Sequence, residues 1–211
     1  MDALSSRIAF SIAETLKKSI VDRGFANLVV SGGSSPLEIF NCLSQIQIAW
    51  HQVNIILGDD RLVDTASIDS NERLVRNSLM INFAKVANYV SLVEISELPL
   101  DLNNLFDVVL LGMGLDGHFA SLFPELLGDK SLFDVSTKKY LYTSDISLGD
   151  PAYRRITMNM SMLINTRRCI LLVSSNSKRK VLEQAQTNTE LPIHYLVNQT
   201  AVDIEYSDID F

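Results

Sequence analysis

Apolar residues run along this chain in two rhythms. Over residues 2–23, Leu4, Ile8, Ile12, Leu16 and Ile20 recur every four positions with Ala9 and Ala13 beside them. That spacing predicts an amphipathic helix with one buried face, stopped at Gly24. Elsewhere the apolar residues come in short unbroken runs: Asn27 to Val30, Val53 to Leu57, Val108 to Leu111 and Cys169 to Val173. Runs of four or five residues rich in Val and Ile, each closed by a polar turn, predict strands buried on both faces. Helical patterns follow three of them: one from Pro36 to about Gln45, one after Asp69 with Leu74, Val75, Leu79 and Met80 on its buried face, and one from Lys178 to about Gln186.

Weaker elements fill the remainder. Residues 89–95 and 202–206 predict edge strands, and Pro99 to Asn104 a connection into the strand at Val108. Residues 125–150 predict loop around a short strand, Tyr140 to Thr143; Arg154 to Met158 opens another element, and 158–166 predicts helix or turn. No repeat, low-complexity tract or linker divides the 211 residues, so a single α/β domain is expected over 1–211.

Strand ends of an open α/β sheet are where ligands bind, and here they are polar. The run at Val108 ends in Gly112-Met113-Gly114-Leu115-Asp116-Gly117-His118, with an apolar helical segment expected behind it. Gly112, Gly114 and Gly117 satisfy a dinucleotide pattern, but Asp116 sets a negative charge where a pyrophosphate would lie, and no clear second strand ends in an acid about 20 residues on. A tight turn with a backbone-satisfied histidine is one reading; a general base with a carboxylate beside it is the other. The run at Asn27 ends in Ser31-Gly32-Gly33-Ser34-Ser35-Pro36. Ser35 as N-cap, Pro36 at the first helical position and Glu38 as partner complete a capping box. The free N–H groups there make an anion site, or simply a well-capped turn. The run at Val53 ends in Gly58-Asp59-Asp60-Arg61, and Asp69 with Glu72 predicts an acidic variant of the capping box. Lys178, Arg179 and Lys180 stand in the first turn of their helix, where cations oppose the macrodipole unless an anion faces them.

Net charge is −7, which argues against nucleic acid or an anionic membrane as partner. No apolar run approaches a membrane span and no basic, apolar leader opens the chain. Cys42 and Cys169 are far apart in apolar patterns, as buried thiols of a reducing cytoplasm would be. Three histidines without H-x-x-x-H or C-x-x-C make a metal site unexpected.

Taken in order, SGGSSP, GDDR, GMGLDGHFASLFP and SSNSKRKVLEQA resemble the 6-phosphogluconolactonase family, which stands with the glucosamine-6-phosphate deaminases and isomerases. The similarity runs from about Leu28 to Leu196, with RRIT around Arg155 and LPIHYL near the C-terminus in support. It implies a three-layer αβα fold with a Rossmann-like, mainly parallel sheet. It implies hydrolysis of 6-phospho-D-glucono-1,5-lactone to 6-phosphogluconate without a cofactor, the sugar-phosphate lactone being the small-molecule partner. Residue by residue, the family's phosphate loop falls on Gly32, Gly33 and Ser34, its helix-start lysine on Lys178, its acidic-Arg segment on Asp59, Asp60 and Arg61, and its Asp-Gly-His on Asp116, Gly117 and His118. Arg155 is a further substrate-binding candidate. Asp60 stands where Glu is usual, Phe119 for Thr, Glu125 for Gly and Ser175 for Gly; of these, Phe119 lies nearest the base. In the mechanism expected on that resemblance His118 accepts a proton from the attacking water, Asp116 or Asp59 orients its ring, and Arg61 and backbone N–H groups of the glycine turns are the candidate oxyanion donors. A glucosamine-6-phosphate isomerase/deaminase and a non-catalytic sugar-phosphate-binding regulator stand as alternatives.

Overall fold

The computed structural model describes residues 3–92 and 106–211. In chain order the elements are α1 (Ala3–Arg23), β1 (Ala26–Val30), α2 (Leu37–Ser44), β2 (Val53–Leu57), β3 (Asp59–Arg61), α3 (Asn71–Ser78), β4 (Asn88–Val90), β5 (Val108–Leu111), β6 (Leu141–Thr143), β7 (Arg155–Met158), α4 (Met160–Leu163), β8 (Cys169–Leu171), α5 (Asn176–Ala185), α6 (Ile193–Asn198) and β9 (Ile204–Tyr206). Six strands form one parallel sheet in the order β4-β2-β1-β5-β8-β9. The unbroken apolar runs are its interior: every residue of β1, β5 and β8 is buried, as expected where both faces are covered. Helices flank the sheet; α1 packs against α2, β1 and β5, and α5 against α6. The buried stripe of α1 is Ile8, Ala9, Ile12, Ala13 and Leu16, and the helix ends where the Gly24 N–H returns to the Ile20 carbonyl.

Three features depart from the expected pattern. A second, antiparallel sheet, β3-β7-β6, begins where β2 ends, so Asp59 to Arg61 are a strand rather than a turn. A helix, α6, stands between Leu191 and the last strand. Finally, no helix directly follows His118; the chain makes short turns to a 3-10 turn at Pro124–Leu126. The edge strand expected over 89–95 is present as β4 up to Val90, while its end and the connection Pro99 to Asn104 lie outside the described residues. Among the described residues no helix is long and apolar enough to cross a membrane.

Two caps are also corrected. Pro36, not Ser35, occupies the N-cap of α2 and is already αR, with no side-chain cap. The Ser35 hydroxyl is therefore free for other partners. Ser70, not Asp69, caps α3 by accepting the Arg73 N–H at 3.2 Å.

Candidate active site

The turn after β5 is closed by its own backbone. Gly114 N–H reaches the His118 carbonyl at 2.8 Å, Gly117 N–H the Gly114 carbonyl at 3.2 Å, and Met113 bridges Phe119. His118 thereby faces a cavity of about 250 Å³ at the carboxyl edge of the sheet. Its Nδ1 lies 2.6 Å from Asp116 Oδ1. Half-burial alone would push the Asp116 carboxyl up, but the hydrogen bonds and charge of His118 outweigh it and hold it below the usual carboxylate range. An ionised carboxylate only accepts, so Nδ1–H is the donor, and in the neutral ring Nε2 is the nitrogen that carries the lone pair. The ring leans on Phe123, centroids 4.3 Å apart. Gly114 makes this pair fit: a Cβ there would come within 2.3 Å of both Asp116 Oδ1 and the His118 ring.

Ala120 then adopts φ +47 in the left-handed region, which costs a non-glycine residue about 1–2 kcal/mol. The reversal separates its neighbours. Phe119 is fully buried in the core and does not line the cavity. Its aromatic ring therefore leaves the floor of the site unobstructed. Ser121, also fully buried, turns to Asp59, its hydroxyl donating to Oδ2 at 2.6 Å.

Strand β3 carries the second group of candidates. Asp59 borders the cavity, while Asp60 turns away and accepts the backbone N–H groups of Arg61, Asn71 and Glu72 at 2.7, 2.7 and 3.1 Å. A carboxylate on the first N–H groups of α3 is a helix anchor. The shorter Asp in place of Glu thus remains structurally occupied. Burial raises the Asp59 carboxyl, and the Ser121 hydrogen bond and the charges of Arg155, Arg61 and His118 only partly offset it. Arg61 lines the cavity, donates to the Asp69 carbonyl at 2.7 Å, and leaves a buried Nε with no partner among the described residues.

At the opposite wall stand Gly32, Gly33, Ser34 and Lys178. β1 and β8 are not adjacent but flank β5, so both helix starts still open on one edge. Lys178 Nζ donates to Ser35 Oγ at 3.0 Å, spanning the two turns. Burial lowers its titration, and no carboxylate counters that. Gly32 has no room for a side chain, since a Cβ would sit 1.9 Å from Asn71 Oδ1. Arg179, by contrast, leaves the cavity and pairs with Asp208 while stacking over Tyr206.

Arg155, on β7, also lines the cavity although it is buried. Its guanidinium donates to the Leu148 carbonyl at 2.9 and 3.2 Å and lies over the Phe123 ring. Burial and then the neighbouring Arg61 charge lower its titration. Three cations and an imidazole therefore share one small cavity with the buried Asp59 and the exposed Asp150.

The chain is similar to known proteins over most of its length. A family model described as glucosamine-6-phosphate isomerases/6-phosphogluconolactonase matches residues 1–204. The chain belongs to this family. A 6-phosphogluconolactonase of Neisseria meningitidis is 33% identical, covering 92% of this chain and 90% of that one. One from Rhizobium meliloti is 32% identical over 94% and 91%. The crystal structure of a 6-phosphogluconolactonase from Shewanella baltica is similar with a TM-score of 0.82 and 34% identity, covering 97% of this chain and 93% of that one.

Of the family-derived positions, Gly32, Gly33, Ser34, Asp59, Arg61, His118, Arg155 and Lys178 meet at one cavity, while Asp116 stands behind His118, Asp60 turns to the start of α3, and Gly117 is off the wall. Of the two carboxylates considered for orienting the ring, Asp116 makes the contact; Asp59 is engaged with Ser121 instead. Ser121, Asn71 and Gly114 were not among the sequence candidates. A serine inside the apolar run Phe119 to Phe123 was the available signal, because a buried hydroxyl needs a partner.

Proposed function

We propose that this protein is a 6-phosphogluconolactonase, hydrolysing 6-phospho-D-glucono-1,5-lactone to 6-phosphogluconate in the oxidative pentose phosphate pathway, with His118 as general base. The observation that carries the base assignment is the His118–Asp116 pair at 2.6 Å on the wall of the cavity, opposite the glycine turn and Lys178. Asp116 holds Nδ1–H, so Nε2 accepts a proton from water as the water attacks the lactone carbonyl. Asp116 also stabilises the imidazolium that forms. Arg61 and Arg155 supply positive charge for the oxyanion, in a site whose dipoles are already fixed by carbonyl contacts. Gly32, Gly33, Ser34 and Lys178 hold the phosphate. Among the described residues the N–H groups of Gly33 to Ser35 donate to no backbone carbonyl, and a helix start with free N–H groups favours an anion. Fixing the phosphate end turns binding energy into orientation at C1. Two buried free thiols accord with a cytoplasmic setting.

The test is turnover of freshly prepared lactone, corrected for its spontaneous hydrolysis, beside ammonia release from glucosamine 6-phosphate. Accelerated lactone loss without ammonia is the expected result. Ammonia release, or binding of 6-phosphogluconate without acceleration, would replace this reading.

A further inference from the structure

The mechanism above leaves the buried carboxyl of the cavity unused. Asp59 is 5% exposed, and that side chain borders the cavity. A carboxylate beside two guanidinium groups would ordinarily draw them into an ion pair. Here neither pairs with it: Arg61 donates to the Asp69 carbonyl, and Arg155 to the carbonyls of Leu148 and Pro151. The side-chain hydrogen bond that Asp59 accepts comes from the neutral hydroxyl of Ser121. Ser121 is itself fixed, its N–H on Thr157 Oγ1 at 3.3 Å, on the strand that pairs with β3. Asn71 of α3 holds the Asp59 main chain through its carbonyl at 3.0 Å. The Ser121 hydroxyl and the nearby cations favour the ionised form, but burial outweighs them and holds the carboxyl bordering the cavity toward its protonated form.

The reaction needs such a group. Collapse of the tetrahedral intermediate breaks the bond between C1 and the ring oxygen, and the departing alkoxide must be protonated. Resting on the lactonase reading, we infer that Asp59, held by Ser121, is the general acid that protonates the ring oxygen as it leaves. His118 Nε2 takes one proton from the attacking water. The electron pair of the C1–O bond goes to the ring oxygen, which takes the Asp59 proton and becomes the 5-hydroxyl. The carboxylic acid product loses its own proton to solvent, and the imidazolium proton is returned to Asp59 through solvent in the open cavity. Two groups in one cavity with opposite environments then divide base from acid. Around Asp59 stand Arg61 and Asp60 on its own strand, Arg155 on β7 and His118 on the β5 turn. Burial opposes ionisation, and the cations do not overcome it.

The experiment compares the lactone with its 1,5-thiolactone analogue, whose thiolate leaves without a proton. Asp59→Asn keeps the Ser121 contact and is expected to lower kcat on the lactone by about 10²–10⁴-fold, the usual range for loss of acid or base catalysis. On the thiolactone the loss is expected to shrink below about 10-fold, whereas His118→Ala loses activity on both, since both need an activated water. Ser121→Ala provides a second reading. Without the hydroxyl the ionised form of Asp59 is less stable, so the alkaline limb of the kcat profile moves to higher pH. Equal losses on both substrates for Asp59→Asn, or an alkaline limb unmoved in Ser121→Ala, would overturn the acid assignment and leave the lactonase reading standing. Wild-type protein inactive on both substrates would overturn the lactonase reading itself.

Discussion

At the N-terminal end of β5, Asp107 is completely buried and accepts from the Ser19 hydroxyl at 2.6 Å, the Asn27 N–H at 2.8 Å and the Arg23 guanidinium, with Arg167 at 3.6 Å. Beyond the other end of that sheet, on β3, Asp59 is also buried with two arginines nearby, yet it accepts a serine hydroxyl while the arginines donate to carbonyls. The residue types are alike and the wiring is opposite. One end saturates its charges and holds α1 to the start of β1 and β5. The other leaves Arg61 Nε and Asn71 Oδ1 without partners among the described residues and holds Ala120 at positive φ. Unsatisfied groups and backbone strain cost stability and collect where a ligand is to supply the missing partner. The two ends therefore separate what holds the fold from what carries the chemistry.

The contrast is broken most severely at Asp107. Asp107→Ala removes the acceptor of the part-buried Arg23 guanidinium and leaves the buried Ser19 hydroxyl and Asn27 N–H without theirs, at about 1–3 kcal/mol for each stranded donor, so about 3–5 kcal/mol of unfolding free energy is expected to be lost. Denaturant titration measures it, and kcat per folded molecule should not change. At the opposite wall of the site, Lys178→Ala is expected to weaken substrate binding by about 1.5–3 kcal/mol, the range for a hydrogen bond to a charged group. The loss should fall mainly on KM, because the phosphate contact is the same in ground and transition states. Arg179→Ala, one residue on, removes a partly exposed pair with Asp208 worth less than about 1 kcal/mol of stability. It should leave KM alone, and steady-state kinetics of both variants at one ionic strength checks the pair. An Arg179 effect on KM equal to that of Lys178 would dissolve the shared phosphate site.

The difference between the two ends should also show in pH-dependent stability. Burial raises the Asp59 carboxyl in the folded state. Such a group costs nothing below the ordinary carboxylate range; its cost opens as pH rises through that range and is complete above the raised value. Asp59→Asn removes the ionisable group, so its melting temperature relative to wild type should be higher at pH 8 than at pH 4. Thermal scans at the two values check the sign. A difference that falls with pH would mean that Asp59 is a stabilised carboxylate like those of ordinary ion pairs.

Much of this was legible in the chain and some was not, for local reasons. β2 and β5 match their apolar runs residue for residue, because strands buried on both faces leave no alternation to misread. The second sheet was hidden because β3 is Asp59-Asp60-Arg61, polar residues whose strand geometry comes from pairing with β7 across about a hundred residues of chain. Ser35 looked like a cap, but Pro36 enters αR directly, and the hydroxyl goes to Lys178 instead. Among the departures from the family pattern Phe119 stood nearest the base; the reversal at Ala120, invisible in composition, sends it into the core. That most of the candidate residues would meet was readable because polar groups at strand ends gather on one edge of a parallel sheet. Ser121 was not, since its partner Asp59 lies 62 residues away.

The central claim is that the open-wired end of the sheet hydrolyses a lactone with His118 as base. It is tested most directly by kcat/KM on freshly made 6-phosphogluconolactone for wild type and His118→Ala, both shown folded by their denaturant midpoints. The account predicts rapid turnover by the wild type and a loss of about 10²–10⁴-fold in the variant, with the midpoint unchanged. A variant as fast as the wild type would contradict it.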